Sequence, residues 1–229
     1  MSVSLNKFLA ETGLTSRRGA DKIIEAGRVT LNGVVARRGN RVEAGDTVAV
    51  DGKPVGAARP PAVYLALHKP AGVTCTTDRR DPSNIIDYLS YPERIFPIGR
   101  LDKPSTGLLL LTNDGDIVNP ILRAEHEHEK EYVVTTDRPF DDAFLRGMAG
   151  GVPILGTVTN RCAVERLGKR RFRIVLTQGL NRQIRRMTEH FGYRVRTLKR
   201  VRIMHLELGN LPVGAWRELT AAEVGGFRL

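Results

Sequence analysis

The apolar positions of the first fifty residues recur at helical spacing and then switch to strand spacing. In "SLNKFLAETG", Leu5, Phe8 and Leu9 fall at i, i+3 and i+4, and Gly13 is placed to stop the helix they predict. In "SRRGADKIIEAG", Ser16 is the expected N-cap, Ala20, Ile23 and Ile24 share one face, and Gly27 closes a second helix. "RVTLNGVVA" follows, with two β-prone runs flanking Asn32-Gly33. That dipeptide favours a type I′ hairpin, whose two central residues both need positive φ. "DTVAVDG" predicts one more strand.

The stretch "DGKPVGAARPPA" (51–62) has neither period and is rich in Gly, Ala and Pro, so a linker is expected at 57–62. From Val63 onward the pattern mixes strands with helices. "VYLALHK", "EYVVTT", "FRIVLT" and "VRIMHLEL" predict strands, while "DDAFLRGMAGG" and "NRQIRRMTEHFG" carry helical spacing. The expected organisation is a small domain over 1–56, the linker, and a larger α+β domain over 63–229 built on a mixed or antiparallel sheet.

Charge changes the picture. The chain of 229 residues carries 36 Lys+Arg against 25 Asp+Glu, a net of +11. Within 161–202 stand fourteen basic residues, twelve of them Arg, opposed by Glu165 and Glu189 alone. Guanidinium groups suit bidentate contact with phosphate, so nucleic acid is the leading partner. No apolar run approaches the roughly 20 residues that span a bilayer. "MSVSLNKFLAETG" lacks the apolar stretch of a secretion signal, and Cys75 and Cys162 lie far apart, so a cytoplasmic protein with free thiols is expected. His126 and His128 in "HEHEKE" are two apart, not at zinc-motif spacing, and Asp114 and Asp116 in "NDGD" fit a turn better than a metal pair.

Three places invite chemistry. In "GRLDKPSTGLLLLTNDGD", Asp102 sits between Arg100 and Lys103 ahead of the run Leu108–Leu111, on a loop marked by Gly99, Pro104 and Gly107. In "HEKEYVV", Tyr132 opens a strand. In "QGLNRQIRRMTEHFG", Asn181 is the expected helix cap and Ile184, Met187 and Phe191 the buried stripe. Arg182, Arg185 and Arg186 then project from other faces near a helix N-terminus, which favours anions. Each has a plainer reading. Asp102 can be a salt-bridged turn residue, Tyr132 a packing residue, and the arginines a surface that follows an RNA backbone.

Together and in order, "GRLDKPSTGLLLLTNDG", "HEKEYVV" and "GLNRQIRRM" resemble the pseudouridine synthases over essentially the whole chain, in the branch of RsuA, RluB, RluE and RluF. "GVPILGTVTNRCAV" together with "GLNRQIRRM" most resembles the RluF group. The first fifty residues, through "LNKFLAETGLTSRRGADKII" and "GRVTLNG", resemble the alpha-L (S-four-like) RNA-binding fold of a small-subunit ribosomal protein. Pro104-Ser105 departs from the family loop, which usually carries an acidic residue there.

The resemblance implies an α+β fold: a small alpha-L RNA-binding domain plus a catalytic domain with a mixed, mainly antiparallel sheet. It implies isomerisation of uridine to pseudouridine, in which the C1′–N1 bond breaks and a C1′–C5 bond forms, with no cofactor and no metal. Asp102 would be the nucleophile, attacking C1′ or C6 or assisting loss of a sugar proton. Tyr132 would stack on the detached base, and Arg185 would keep Asp102 charged. The target uridine would be flipped out of its stack. Arg100, Leu101, Lys103, Arg182 and Gln183, with Arg17, Arg18 and Lys22 of the first domain, would contact RNA. The expected partner is 23S rRNA near the peptidyl-transferase centre, with 16S rRNA or a tRNA anticodon as alternatives and a monomer as the working state. The competing class is a non-catalytic ribosome- or RNA-binding module.

Overall fold

The computed structural model describes residues 2–56, 60–122 and 128–227. Residues 57–59 of the expected linker, and His126, lie outside the described residues. The chain divides into two compact units: Met1–Ala62 with Pro92–Arg94 and Asn113–Gly115, and the remainder from Val63 onward.

In the first unit the order is β1 (Val3–Ser4), α1 (Leu5–Glu11), α2 (Arg17–Glu25), β2 (Val29–Leu31), β3 (Val34–Val35), β4 (Arg41–Val42), β5 (Val48–Val50) and β6 (Lys53–Pro54). Ser16 caps α2 by accepting a hydrogen bond from the Gly19 amide at 2.9 Å. Asn32 and Gly33 have φ of 53° and 80°, the signs a type I′ turn demands, and they pair Leu31 with Val34. Leu5, Leu9, Ala20, Ile24, Val29, Val42 and Val48 are buried together, so the helices and the β3-β2-β5-β6 sheet share one small core.

The second unit contains β7 (Tyr64–Lys69), α3 (Ile85–Leu89), β8 (Phe96–Ile98), β9 (Thr106–Thr112), α4 (Val118–Leu122), β10 (Lys130–Thr136), α5 (Asp142–Gly150), β11 (Pro153–Ile154), β12 (Thr157–Val158), β13 (Ala163–Arg166), β14 (Arg171–Leu176), α6 (Gln183–His190), β15 (Val195–Ile203), β16 (Leu206–Glu207), β17 (Trp216–Glu218) and α7 (Ala221–Gly225). Its main sheet runs β13-β14-β10-β15-β9-β7-β17, with β8 beside β9 and β16 beside β15. The β15–β9 pair is parallel and its other pairings are antiparallel. This is the mixed, mainly antiparallel α+β sheet expected. The run "VRIMHLEL", expected as one strand, is broken: Met204 adopts φ +52° and turns β15 back into β16.

The continuous leucine run has a direct physical reason. β7 and β9 are covered on both faces. Leu65, Leu67, Leu109 and Leu111 pack with Ile85 and Leu89 on one side. Ala66, Leu108 and Leu110 pack with Ile117, Ile121 and Ile203 on the other. A strand buried on both faces loses the alternation of a half-solvated one. The third core, around Phe144, Met148, Phe172, Ile184 and Met187, seats α5 and α6.

At the N-terminal end of β9, Gly107 has φ +112°, and a Cβ there would fall 2.2 Å from the Arg200 carbonyl oxygen. Only glycine lets the two backbones come this close in their parallel pairing. That contact fixes the loop before β9 against the middle of β15.

Candidate active site

Asp102 lies in the β8–β9 loop, whose main chain is fastened on both sides. The Leu101 amide donates to Cys75 Sγ at 3.4 Å, and the Ser105 amide donates to the Asp102 carbonyl at 2.9 Å. The Lys103 carbonyl accepts from the Gly72 amide at 2.8 Å and from Lys69 Nζ at 3.3 Å. Lys69 is fully buried, and its ammonium also donates to the Pro70 and Val73 carbonyls at 2.7 and 2.8 Å. Burial pushes the Lys69 pKa down, while the Cys75 and Asp102 side chains pull it back up. The loop is thus held by main-chain bonds, and the Asp102 carboxylate remains about a third exposed.

Arg185 comes from the first turn of α6. The helix begins differently from expectation: Arg182, not Asn181, is the N-cap, at φ +51° and without a side-chain capping bond. Gln183 ties the preceding loop to the helix start, its Oε1 accepting from the Leu180 amide at 3.0 Å while its Nε2 donates to Gln178 Oε1 at 3.0 Å. Gln183, expected to face RNA, is therefore 4% exposed and occupied in holding its own loop. Asn181 instead accepts from Arg186 Nε and Nη2.

The turn places the Arg185 guanidinium beside the β8–β9 loop. Its Nε is 3.3 Å from Asp102 Oδ2, and its Nη2 donates to Ser105 Oγ at 2.9 Å. The Nε–H does not point at the carboxylate and has no hydrogen-bond acceptor. The pair is held by charge, with Ser105 setting the direction of the cation.

Tyr132 stands on β10 opposite Arg200 of β15 and packs partly against two of the three cores. In front of it opens a cleft of about 680 Å³, bounded by 74–76, the 98–103 loop, Lys130, Tyr132, the 179–182 loop and Arg200. A smaller cavity of about 120 Å³ adjoins it, with Asp102, Ser105, Tyr132 and Arg185 in its wall. Asp102 and Tyr132 face both spaces. Five cations line the larger cleft (Arg100, Lys103, Lys130, Arg182 and Arg200), and Asp102 is the one acid among its described lining residues.

Of the residues selected from sequence, Asp102, Tyr132, Arg185, Arg100, Lys103 and Arg182 are brought together here. Leu101 touches the cleft, but its side chain is 7% exposed and belongs to the core under the loop. Arg17, Arg18 and Lys22 are exposed on α2 of the first unit. His128 Nε2 contacts the Pro120 carbonyl at 2.6 Å. Sequence reasoning did not single out Lys69, Lys130 or Arg200 as site residues. A lysine ending an apolar strand in "LALHKP" was the available signal for Lys69, and its spacing two before Tyr132 for Lys130.

A cleft that carries five cations and one acid among its described lining residues is suited to a polyanionic substrate. A family model described as RNA pseudouridylate synthase matches residues 63–190, and one described as S4 domain matches residues 3–48. The chain belongs to the RNA pseudouridine synthase family and is an isomerase of that class. It is 53% identical over 224 residues to the dual-specificity RNA pseudouridine synthase RluF of Escherichia coli K12, covering 97% of this chain and 77% of that protein. It is 36% identical to the ribosomal large subunit pseudouridine synthase B of Bacillus subtilis, covering 98% and 95%. A pseudouridylate synthase crystal structure superposes with a TM-score of 0.72 at 29% identity, covering 98% of this chain and 99% of that one. Among the described residues no helix is long and apolar enough to cross a membrane.

Proposed function

We propose that this enzyme forms pseudouridine in ribosomal RNA, with 23S rRNA as its main substrate, and that Asp102 is its nucleophile. The observation that carries the reading is Asp102 itself: among the described residues it is the one acid in a cleft that they line with five cations, beside Arg185 and facing the same cavities as Tyr132. Cations concentrate a polyanion at the mouth, and a charged carboxylate is the reactive form needed at the floor. The relative from Bacillus subtilis, named for the ribosomal large subunit, supports the choice of RNA.

The reaction breaks C1′–N1 and makes C1′–C5, while C5 loses a proton and N1 gains one. Asp102 acts on the uridine as the glycosidic bond breaks, and Arg185 holds its charge in place. Tyr132 offers a ring on which the freed base turns without escaping. A base paired inside a helix cannot reach such a cleft, so the target uridine leaves its stack to enter. Residues 1–56 form the RNA-holding domain, with Arg17, Arg18 and Lys22 as its exposed cations, and residues 63–229 form the catalytic domain.

Pseudouridine mapping in rRNA and tRNA from cells with and without the protein tests the substrate. Sites in 23S rRNA that vanish with the gene and return with the wild type, but not with Asp102→Asn, are expected. Sites lost only from 16S rRNA or tRNA would refute the 23S assignment, and no lost site would refute the activity on ribosomal RNA.

A further inference from the structure

Arg200 is 4% exposed, yet its guanidinium is incompletely used. Its Nε donates to the Leu108 carbonyl at 2.7 Å, while Nη2 is buried with no hydrogen-bond partner. It lines the cleft on the same strand pair as Tyr132. Two residues before Tyr132 on β10, Lys130 lines the same wall, its Nζ donating to the His128 carbonyl at 2.8 Å. Both cations line one cleft, and burial first, with the Arg200 charge second, pushes the Lys130 pKa down. No acid among the described residues forms an ion pair with either one, whereas on the neighbouring positions Arg202 is paired with Glu129 and Glu131.

Two partly desolvated like charges, one with an orphaned N–H, are costly unless a ligand completes them. The ligand has to be an anion with more than one acceptor oxygen. A uracil carbonyl would satisfy one N–H and leave both charges uncompensated. A phosphodiester supplies a negative charge and two free oxygens, which a guanidinium and an ammonium can share.

We infer that Arg200 and Lys130 form a seat for the phosphodiester next to the target uridine, inside the catalytic cleft. The seat fixes the nucleotide through its backbone while the base lies against Tyr132, and it reads no sequence. This inference rests on the assignment of the cleft as the active site.

The test uses the full-length protein and a short stem-loop RNA containing a mapped target uridine, tritiated at C5. Methylphosphonate replaces the phosphate on one side of that uridine or the other, with the 2′-hydroxyl beside the altered linkage removed. Matched 2′-deoxy RNAs with normal phosphate serve as controls. Wild-type kcat/KM is expected to fall about tenfold or more at one of the two linkages, the size expected for losing a charged hydrogen bond. Arg200→Gln and Lys130→Gln should each lose a similar factor on the charged RNA and little further on the neutral one. If the variants lose the same additional factor as the wild type at both linkages, or match the wild type on charged RNA, the seat is refuted. Should Arg200→Gln not fold, Lys130→Gln carries the same comparison alone, because its side chain is only partly buried. Asp102→Asn, run in parallel on the control RNA, separates the two failures. Turnover by that variant would overturn the assignment of the cleft, and its inactivity leaves the phosphate result to be judged by itself.

Discussion

The guanidinium of Arg185 reaches Asp102 Oδ2 at 3.3 Å and donates to Ser105 Oγ at 2.9 Å, so one loop presents both the acid and the hydroxyl that aims its counter-charge. The arrangement gives Pro104-Ser105, the odd part of this loop in sequence, a physical role: Ser105 is buried and acts as the acceptor that orients Arg185.

Asp102→Asn is expected to abolish tritium release from C5-labelled RNA while leaving RNA affinity nearly unchanged. The amide keeps the volume and loses the nucleophile. Turnover close to wild type would remove Asp102 from the reaction.

Arg185→Met is expected to cut the single-turnover rate by about 10²-fold or more, because it leaves a partly shielded carboxylate without its cation. Arg185→Lys should recover part of the rate by restoring the charge. Ser105→Ala keeps the charge but loses its aim, and a loss of roughly tenfold or less is expected. Arg186→Met is the comparison, since Arg186 binds Asn181 and not the acid. A normal Arg185→Met rate with a shallower salt dependence of binding would make Arg185 an ordinary phosphate contact.

Gly107→Ala should destabilise the fold by more than about 2 kcal/mol, because strain at φ +112° adds to a backbone overlap that cannot move aside. Gly168→Ala, where an added Cβ meets nothing within 4 Å, should leave the urea midpoint almost unchanged. Equal midpoints for the two variants would contradict the close β9–β15 approach.

Glu223 supplies a pH signature. Hydrogen bonds from Arg217 hold its pKa at about 2, below the usual carboxylate value. A pKa lowered by folding gives stability that is complete above the unfolded value and is lost as pH falls through the folded one. The stability gap between wild type and Glu223→Gln should therefore be constant above about pH 5, narrow below 4.5 and close towards pH 2. Denaturant midpoints between pH 7 and 3 measure this, and a gap that widens on acidification would contradict the pairing.

Deleting residues 1–56 should leave a folded catalytic unit that binds RNA more weakly. The first unit has its own buried core of Leu5, Leu9, Ile24 and Val48, distinct from the three behind the cleft. A truncated protein without a cooperative melting transition would show that the second unit depends on the first.

Much of the first unit was written in local chemistry. The Ser16 cap, the Asn32-Gly33 turn and the i, i+3, i+4 spacing of Leu5, Phe8 and Leu9 depend on neighbours within a few residues, which a sequence displays. The strands of "VYLALHK", "EYVVTT" and "FRIVLT" and the order of the three motifs were equally readable.

What sequence left open were relationships across the fold. The leucines of β9 are apolar in any reading, and only the fold shows both faces covered, by Ile85 and Leu89 on one side and by Ile117 and Ile121 on the other. Asn181 has a capping side chain by type, but Gln178 and Gln183 hold the loop so that the helix starts one residue later. Lys69 and Arg200 look like surface charges in sequence. They are buried because the Val73, Lys103 and Leu108 carbonyls come to meet them. The sequence by itself determined the two units, the basic character and the family motifs, since those follow from residue type and short spacing. The tertiary structure alone decided which cation meets Asp102 and which line the cleft around it, because strand register sets the position of a charge relative to distant carbonyls and carboxylates.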